Sequence, residues 1–387
     1  MSTPLEDQNF ADDIVQVKLY EASLPESKTF LPWHRPRKQF VRDRQWRTQI
    51  ERMLTDSPLA DGTLRYLGLP GADLLDLRHF HSEICESRNL KLRFLGFNSN
   101  ARAASKGQTE LNVALDEVLR LPYVDQKSDV LGDNFALIAQ DDSIACRKAQ
   151  EFGPYDVINL DFCDGFGGQV PGTPTNNYYE AIRKLFAIQA RSKSPWLLLL
   201  TTRADSPNIN ATLLEALLNK YIANLVECAN FKAASNEKFG IGDETGLRET
   251  IATANGLLQI FLTGLCKWFL AMSLAQQPPT TLKLCSVIGY RVDPKSEHED
   301  LISLALRFTP TFYPVVDPLN VASLPVSIPN ECDLATMALN RVASRVDADK
   351  VLLDDVTVNN EMIESSASLL VSARYDAQAY REWLDKG

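Results

Sequence analysis

Residues 153–168 read GPYDVINLDFCDGFGG, and the reading of this stretch decides the fold. Val157, Ile158 and Leu160, with Asn159 among them, make a short run that is apolar on both faces. That is the pattern of a central strand in a parallel sheet covered on both sides. The run stops at Asp161, Asp164 and a series of glycines. In open α/β sheets, ligands bind in the crevice beyond the carboxyl ends of the strands. Asp161, Cys163, Asp164 and the backbone of Gly165 are therefore expected to face whatever the protein binds. A plainer account has the aspartates capping a helix and the glycines making a turn. The neighbouring segments decide between the two.

Upstream, residues 63–71 read TLRYLGLPG. Leu64, Tyr66 and Leu67 predict a strand, followed by a glycine turn and a helix carrying Leu74, Leu75, Leu77 and Phe80. Strand, glycine turn, helix brings a ligand close to backbone N–H groups and a helix N-terminus. Residues 91–100, KLRFLGFNSN, predict a second buried strand that ends in Asn98, Ser99 and Asn100. A helix is expected over 108–121, then a third strand or loop over 129–139 carrying Asp133 and Asn134. Downstream, 178–190 is amphipathic, and 195–203, PWLLLLTTR, is a fifth strand. Helix-sized crossovers between strands imply an α/β protein with a mainly parallel sheet.

The succession LRYLGLPG, LRFLGFN, LGDNF, YDVINLDF and WLLLLTTR resembles the strand motifs of class I, Rossmann-like S-adenosylmethionine-dependent methyltransferases. The likeness implies a three-layer sandwich around a mainly parallel seven-stranded sheet that ends in an antiparallel hairpin. Residues 280–292 and 301–311 supply that hairpin. It also implies S-adenosyl-L-methionine as cofactor. Carried over residue by residue, Gly68, Pro70 and Gly71 form the loop under the methionine part. Asn98 faces the ribose, Asp133, Asn134 and Phe135 face the adenine, and Asp161 stands at the catalytic edge. Two positions depart from the family pattern. Gly-Leu-Pro-Gly replaces an acid followed by three spaced glycines, and Asn98 replaces the usual carboxylate. An amide lacks the charge-assisted strength of a carboxylate towards a hydroxyl. Two readings of the activity follow: a methyltransferase, with nucleic acid as a candidate substrate, or a catalytically inactive relative serving as a binding or scaffold subunit. A dinucleotide oxidoreductase is disfavoured by the missing GxGxxG.

Methyl transfer needs positioning, and a base where the acceptor carries a proton. Asp161 is the first candidate for base or substrate orienter, Asp164 the second. Cys163 could serve as a nucleophile, or simply be a small half-buried thiol.

The rest of the chain frames this domain. Residues 1–60 are read as an arm and a basic helix, 61–320 as the methyltransferase-like domain, and 321–387 as a helical tail. A helical insertion is expected at about 205–278, with 233–247 as a loop. Between 35 and 52 there are seven Lys/Arg and two acids, a local excess of five positive charges, in a chain of net charge −10. Trp46, Ile50, Met53 and Leu54 recur at helical spacing, which places Arg42, Arg44 and Arg47 largely off the docking face. Those arginines could contact phosphates, or pair with acids elsewhere on an acidic protein. Residues 251–275 are apolar at membrane-spanning length, but Lys267 interrupts them; a buried helix, or one against a protein partner, is expected rather than a membrane span. Seven cysteines with no CxxC pair favour free thiols, a reducing compartment and a cytoplasmic protein. No metal site is expected from the four histidines.

Overall fold

The structure, a computed structural model, describes residues 28–100, 106–162, 165–169, 177–292, 298–311, 319 and 330–386. The expected arm before residue 28, most of the proline-rich segment 313–330, Cys163 and Asp164 lie outside the described residues.

The strands are β1 (Thr63–Gly68), β2 (Lys91–Phe97), β3 (Asp129–Leu131), β4 (Val157–Asp161), β5 (Trp196–Arg203), β6 (Thr280–Tyr290), β7 (Leu301–Pro310) and β8 (Val346–Asp347). They form one sheet in the order β3-β2-β1-β4-β5-β7-β6-β8. The first five run parallel, and β7 is antiparallel to both β5 and β6. The mixed α/β architecture with an antiparallel end is as expected; the strand count of seven is corrected to eight. The added strand is a two-residue piece of the tail, parallel to β6. Two residues carry no readable alternation.

Side chains alternate across the sheet, as the strand period requires. Leu67, Leu95, Ile158, Leu160, Leu198 and Leu200 belong to one core, while Leu64, Phe94, Val157, Leu197 and Leu199 belong to the other. The first core is filled by the helices Tyr178–Gln189, Ala211–Glu227, Ala254–Leu274 and Glu331–Ala343. The second takes the helical run 36–56 and Met362 of the helix Val356–Ser372. Both faces of the sheet are thus covered, which is why β4 and β5 tolerate unbroken apolar runs.

Several expectations change. Residues 233–247 are largely helical, split between Ala229–Phe239 and Glu244–Thr250. The former helix is polar almost all round, and Phe231, Ala234 and Ser235 alone anchor it, so no apolar stripe announced it. The expected tail helix over 360–383 is broken into Val356–Ser372 and Ala377–Asp385. Cys228 and Cys332 form a disulfide, against the expectation of free thiols throughout. They are 104 residues apart, and only tertiary packing brings them together. Ala254–Leu274 is the one described helix long and apolar enough to cross a membrane, and it is mostly buried inside the molecule. Lys267 within it is buried too, bonded to Glu331 and Asn224.

Candidate functional site

A cavity of about 620 Å³ opens beyond the carboxyl ends of β1, β2 and β4. Its lining includes Pro70, Gly71, Asn98, Asp133, Asn134, Phe135 and Asp161. Segments from Pro70 to Asp161, 91 residues apart, therefore deliver the expected residues to one hollow. Gly68 is the exception. It does not line the cavity, and a Cβ there would meet the Tyr66 hydroxyl at 2.4 Å. Its lack of a side chain serves packing against Tyr66. A Cβ on Gly71 would meet nothing within 4 Å. Asp164 lies outside the described residues.

The polar groups are positioned in different ways. The Asn98 side chain donates to the Pro70 carbonyl at 3.1 Å and accepts from the Asn100 N–H at 3.0 Å, so its amide braces the glycine loop. Asn134 caps the short helix Phe135–Ala139, accepting from Ala136 N–H at 2.8 Å. Asp133 has no partner among the described residues. Asp161 accepts a bond from the buried Lys38 ammonium at 2.7 Å through Oδ2. Its Oδ1 is buried and unpartnered among the described residues.

Phe135, Phe162 and Tyr178 make an aromatic wall. Phe162 and Tyr178 stack with centroids 4.6 Å apart, and Phe135 meets Phe162 edge-on at 5.9 Å. The lining also carries a charge imbalance: Asp73, Asp76, Glu110, Asp133 and Asp161 against Lys28 and Arg42.

Sequence reasoning missed Lys38, Asp76, Lys28 and Tyr375. Lys38 and Arg42 come from the helical run 36–56, which adopts the wider π geometry over Val41–Arg47. A face projected at roughly 3.6 residues per turn does not hold through such a stretch. Arg42 is consequently buried, at 5% exposure, and bonds Asp76 at 2.7 Å. This corrects its expected place off the docking face. Arg44 pairs with Asp43 and Glu361, and Arg47 with Asp43 and Glu83. From the other end of the chain, Tyr375 donates to Asp73 Oδ2 at 2.7 Å, and Lys28 pairs with the same carboxylate. Leu74, also in the lining, holds a left-handed backbone (φ 53°) with its side chain fully buried. For a bulky residue that conformation is strained and persists only where packing enforces it.

The hollow lies where open α/β sheets place their ligand crevices, beyond the carboxyl ends of the strands. A family model matches residues 27–385, and the chain belongs to that family, the PP_RS20740-like proteins. A comparison with the curated proteins finds no match.

Proposed function

We propose that the cavity binds S-adenosyl-L-methionine and that the protein is a methyltransferase of the three-layer, seven-stranded sandwich type, with β8 as an appendage. The observation that carries this reading is the convergence of Gly71, Asn98, Asp133–Phe135 and Asp161 on one hollow. The strand order β3-β2-β1-β4-β5-β7-β6, with the reversed β7, supports it further. So does the lining, whose five carboxylates outnumber Lys28, Arg42 and Lys38, the cations paired with three of them, and so suit a positively charged sulfonium. Pro70 and Gly71 would lie against the methionine part. The aromatic wall would stack the adenine, and Asp133 would accept its amino protons. The Asp161 carboxylate, held through Oδ2 by Lys38, would orient the methyl acceptor or take its proton.

A second reading is a ligand-binding relative without turnover. The observation in its favour is that Asn98 and Asp161 already hold protein partners. Titration calorimetry with S-adenosylmethionine and S-adenosylhomocysteine tests both. The wild-type chain should release or absorb heat with a one-site isotherm. Gly71→Val, which projects into open space and leaves the fold intact, should abolish it, and Asp133→Ala should weaken it at least tenfold. A flat isotherm at millimolar ligand overturns the cofactor assignment. Binding without methyl transfer to any acceptor in cell extract selects the second reading.

A further inference from the structure

Away from the cavity, the disulfide between Cys228 and Cys332 joins the helical insertion to the tail. A Glu331 carboxylate oxygen lies within 4.8 Å of both sulfurs. That carboxylate is held at 3.0 Å by the buried Lys267 ammonium, which screens its charge. The two sulfurs have unlike surroundings. Cys228 is buried at the junction of two helices, the C-cap of Ala211–Glu227 and the N-cap of Ala229–Phe239. Cys332 is only half-buried, in the first turn of Glu331–Ala343, flanked by Glu331 and Asp333. Cys332 is the more exposed residue of the pair, so a small thiolate enters there and Cys228 is the leaving sulfur.

The other described thiols offer a contrast. Burial pushes Cys85 and Cys266 up to about 12, and it also raises Cys146 and Cys285. Opening the bond need not unseat its helices. Ala335, Ala338, Leu339 and Val342 fix one of them in the core, and Phe231 and Ala234 fix the other.

We infer that Cys228 and Cys332 form an exchangeable dithiol–disulfide site for low-molecular-weight thiols, entered at Cys332. A small thiolate bonds to Cys332 Sγ, the Sγ–Sγ bond breaks, and its electron pair leaves on Cys228 Sγ, which takes a proton. A second small thiolate attacks the small-molecule sulfur of the mixed disulfide. It departs as a symmetrical disulfide, and Cys332 leaves as a thiolate that is then protonated. Two electrons have passed from two small thiols to the protein. The small-molecule disulfide drives the same steps in reverse.

The test equilibrates native protein in glutathione buffers of graded reduced-to-oxidised ratio, quenches with acid, alkylates, and maps each cysteine by mass. The pair is expected to titrate as one two-electron couple without denaturant. In Cys228→Ser, glutathione should be found on Cys332, whereas in Cys332→Ser the buried Cys228 should carry little. Lys267→Gln should slow opening several-fold, and Lys267→Arg should restore it. Circular dichroism on each variant checks that it is folded. Three results overturn the proposal: a bond that opens only in denaturant, two free thiols at every ratio, or a reduced protein that retains one zinc ion through gel filtration. The last would make Cys228, Glu331 and Cys332 a metal site.

Discussion

Asp161 has two unlike oxygens: Oδ2 is bonded to Lys38, and Oδ1 is buried without a partner among the described residues. Lys38 is 3% exposed and lies 4.6 Å over the Trp46 ring. Removing one member of a buried pair strands the other charge and typically costs about 3–5 kcal/mol. Lys38→Met is expected to lose stability in that range by urea unfolding, and Lys38→Met with Asp161→Asn should recover most of it. Recovery to less than half would mean that Lys38 acts mainly by packing. Titration at single residues is also legible. Burial, then the Arg42 cation, holds His34 down at about 4 and His79 at about 3, against an ordinary 6.5. Below pH 6.5 the unfolded chain takes up protons that these folded imidazoles refuse, so stability falls towards pH 4. Asp156 has the opposite sign. Burial raises it to about 6 from 3.8, so the folded form holds its proton more tightly and stability is lost as pH rises through 6. Thermal unfolding should show His79→Gln flattening the loss below pH 6.5. Asp156→Asn should raise the melting temperature at pH 7.5, equivalent to about 1–2 kcal/mol, and do nothing at pH 3.5. Equal shifts at both pH values would remove the titration account.

Among the elements, the run 36–56 turns from an outer accessory into a wall of both core and cavity. Trp46 is fully buried, with Nε1 donating to Ser303 Oγ at 3.1 Å, while Arg44 stays on the rim beside Glu361. Deleting a buried indole costs about 3–5 kcal/mol, whereas rim ion pairs are worth about 0–1 kcal/mol. Trp46→Ala should therefore unfold far earlier in urea than Arg44→Ala. Binding to single-stranded DNA should be unchanged by Arg44→Ala and Arg47→Ala, since both side chains already hold carboxylates. Loss of salt-sensitive binding in either would restore this helix as a phosphate contact. Legibility at this scale followed burial. β1, β2, β4, β5, β6 and β7 were readable because each is an apolar run bounded by turns. Ile144–Phe152 was not, because before Phe152 at its last position its inward face is only Ala145, Cys146 and Ala149, too small to make a stripe. The cavity lining could be read where strand ends implied it, at Gly71, Asn98, Asp133 and Asp161. Lys38 and Asp76 were hidden because their partners are 123 and 34 residues away, and no local pattern encodes such a pairing.

Across the whole molecule, the two outer segments of the described chain meet over the same hollow. Phe30 packs against Tyr375, Tyr380 and Trp383, with centroids 5.5, 5.6 and 5.5 Å away, and Tyr380 donates to the His34 carbonyl at 2.7 Å. Ending the chain after Arg374 removes that aromatic cluster. Hydrogen exchange should then show the segment 28–35 losing protection, while β4 and β5 keep theirs. Loss of protection throughout would instead make the tail part of the global folding unit.

Lys28 and Tyr375 converge on Asp73 from opposite directions along the polypeptide. During synthesis the sheet and its glycine turn emerge from the ribosome well before Tyr375 does. The hollow is therefore walled in only after Tyr375 has emerged and folded back onto Asp73. A chain that stops short of Tyr375 would leave that side of the vestibule open.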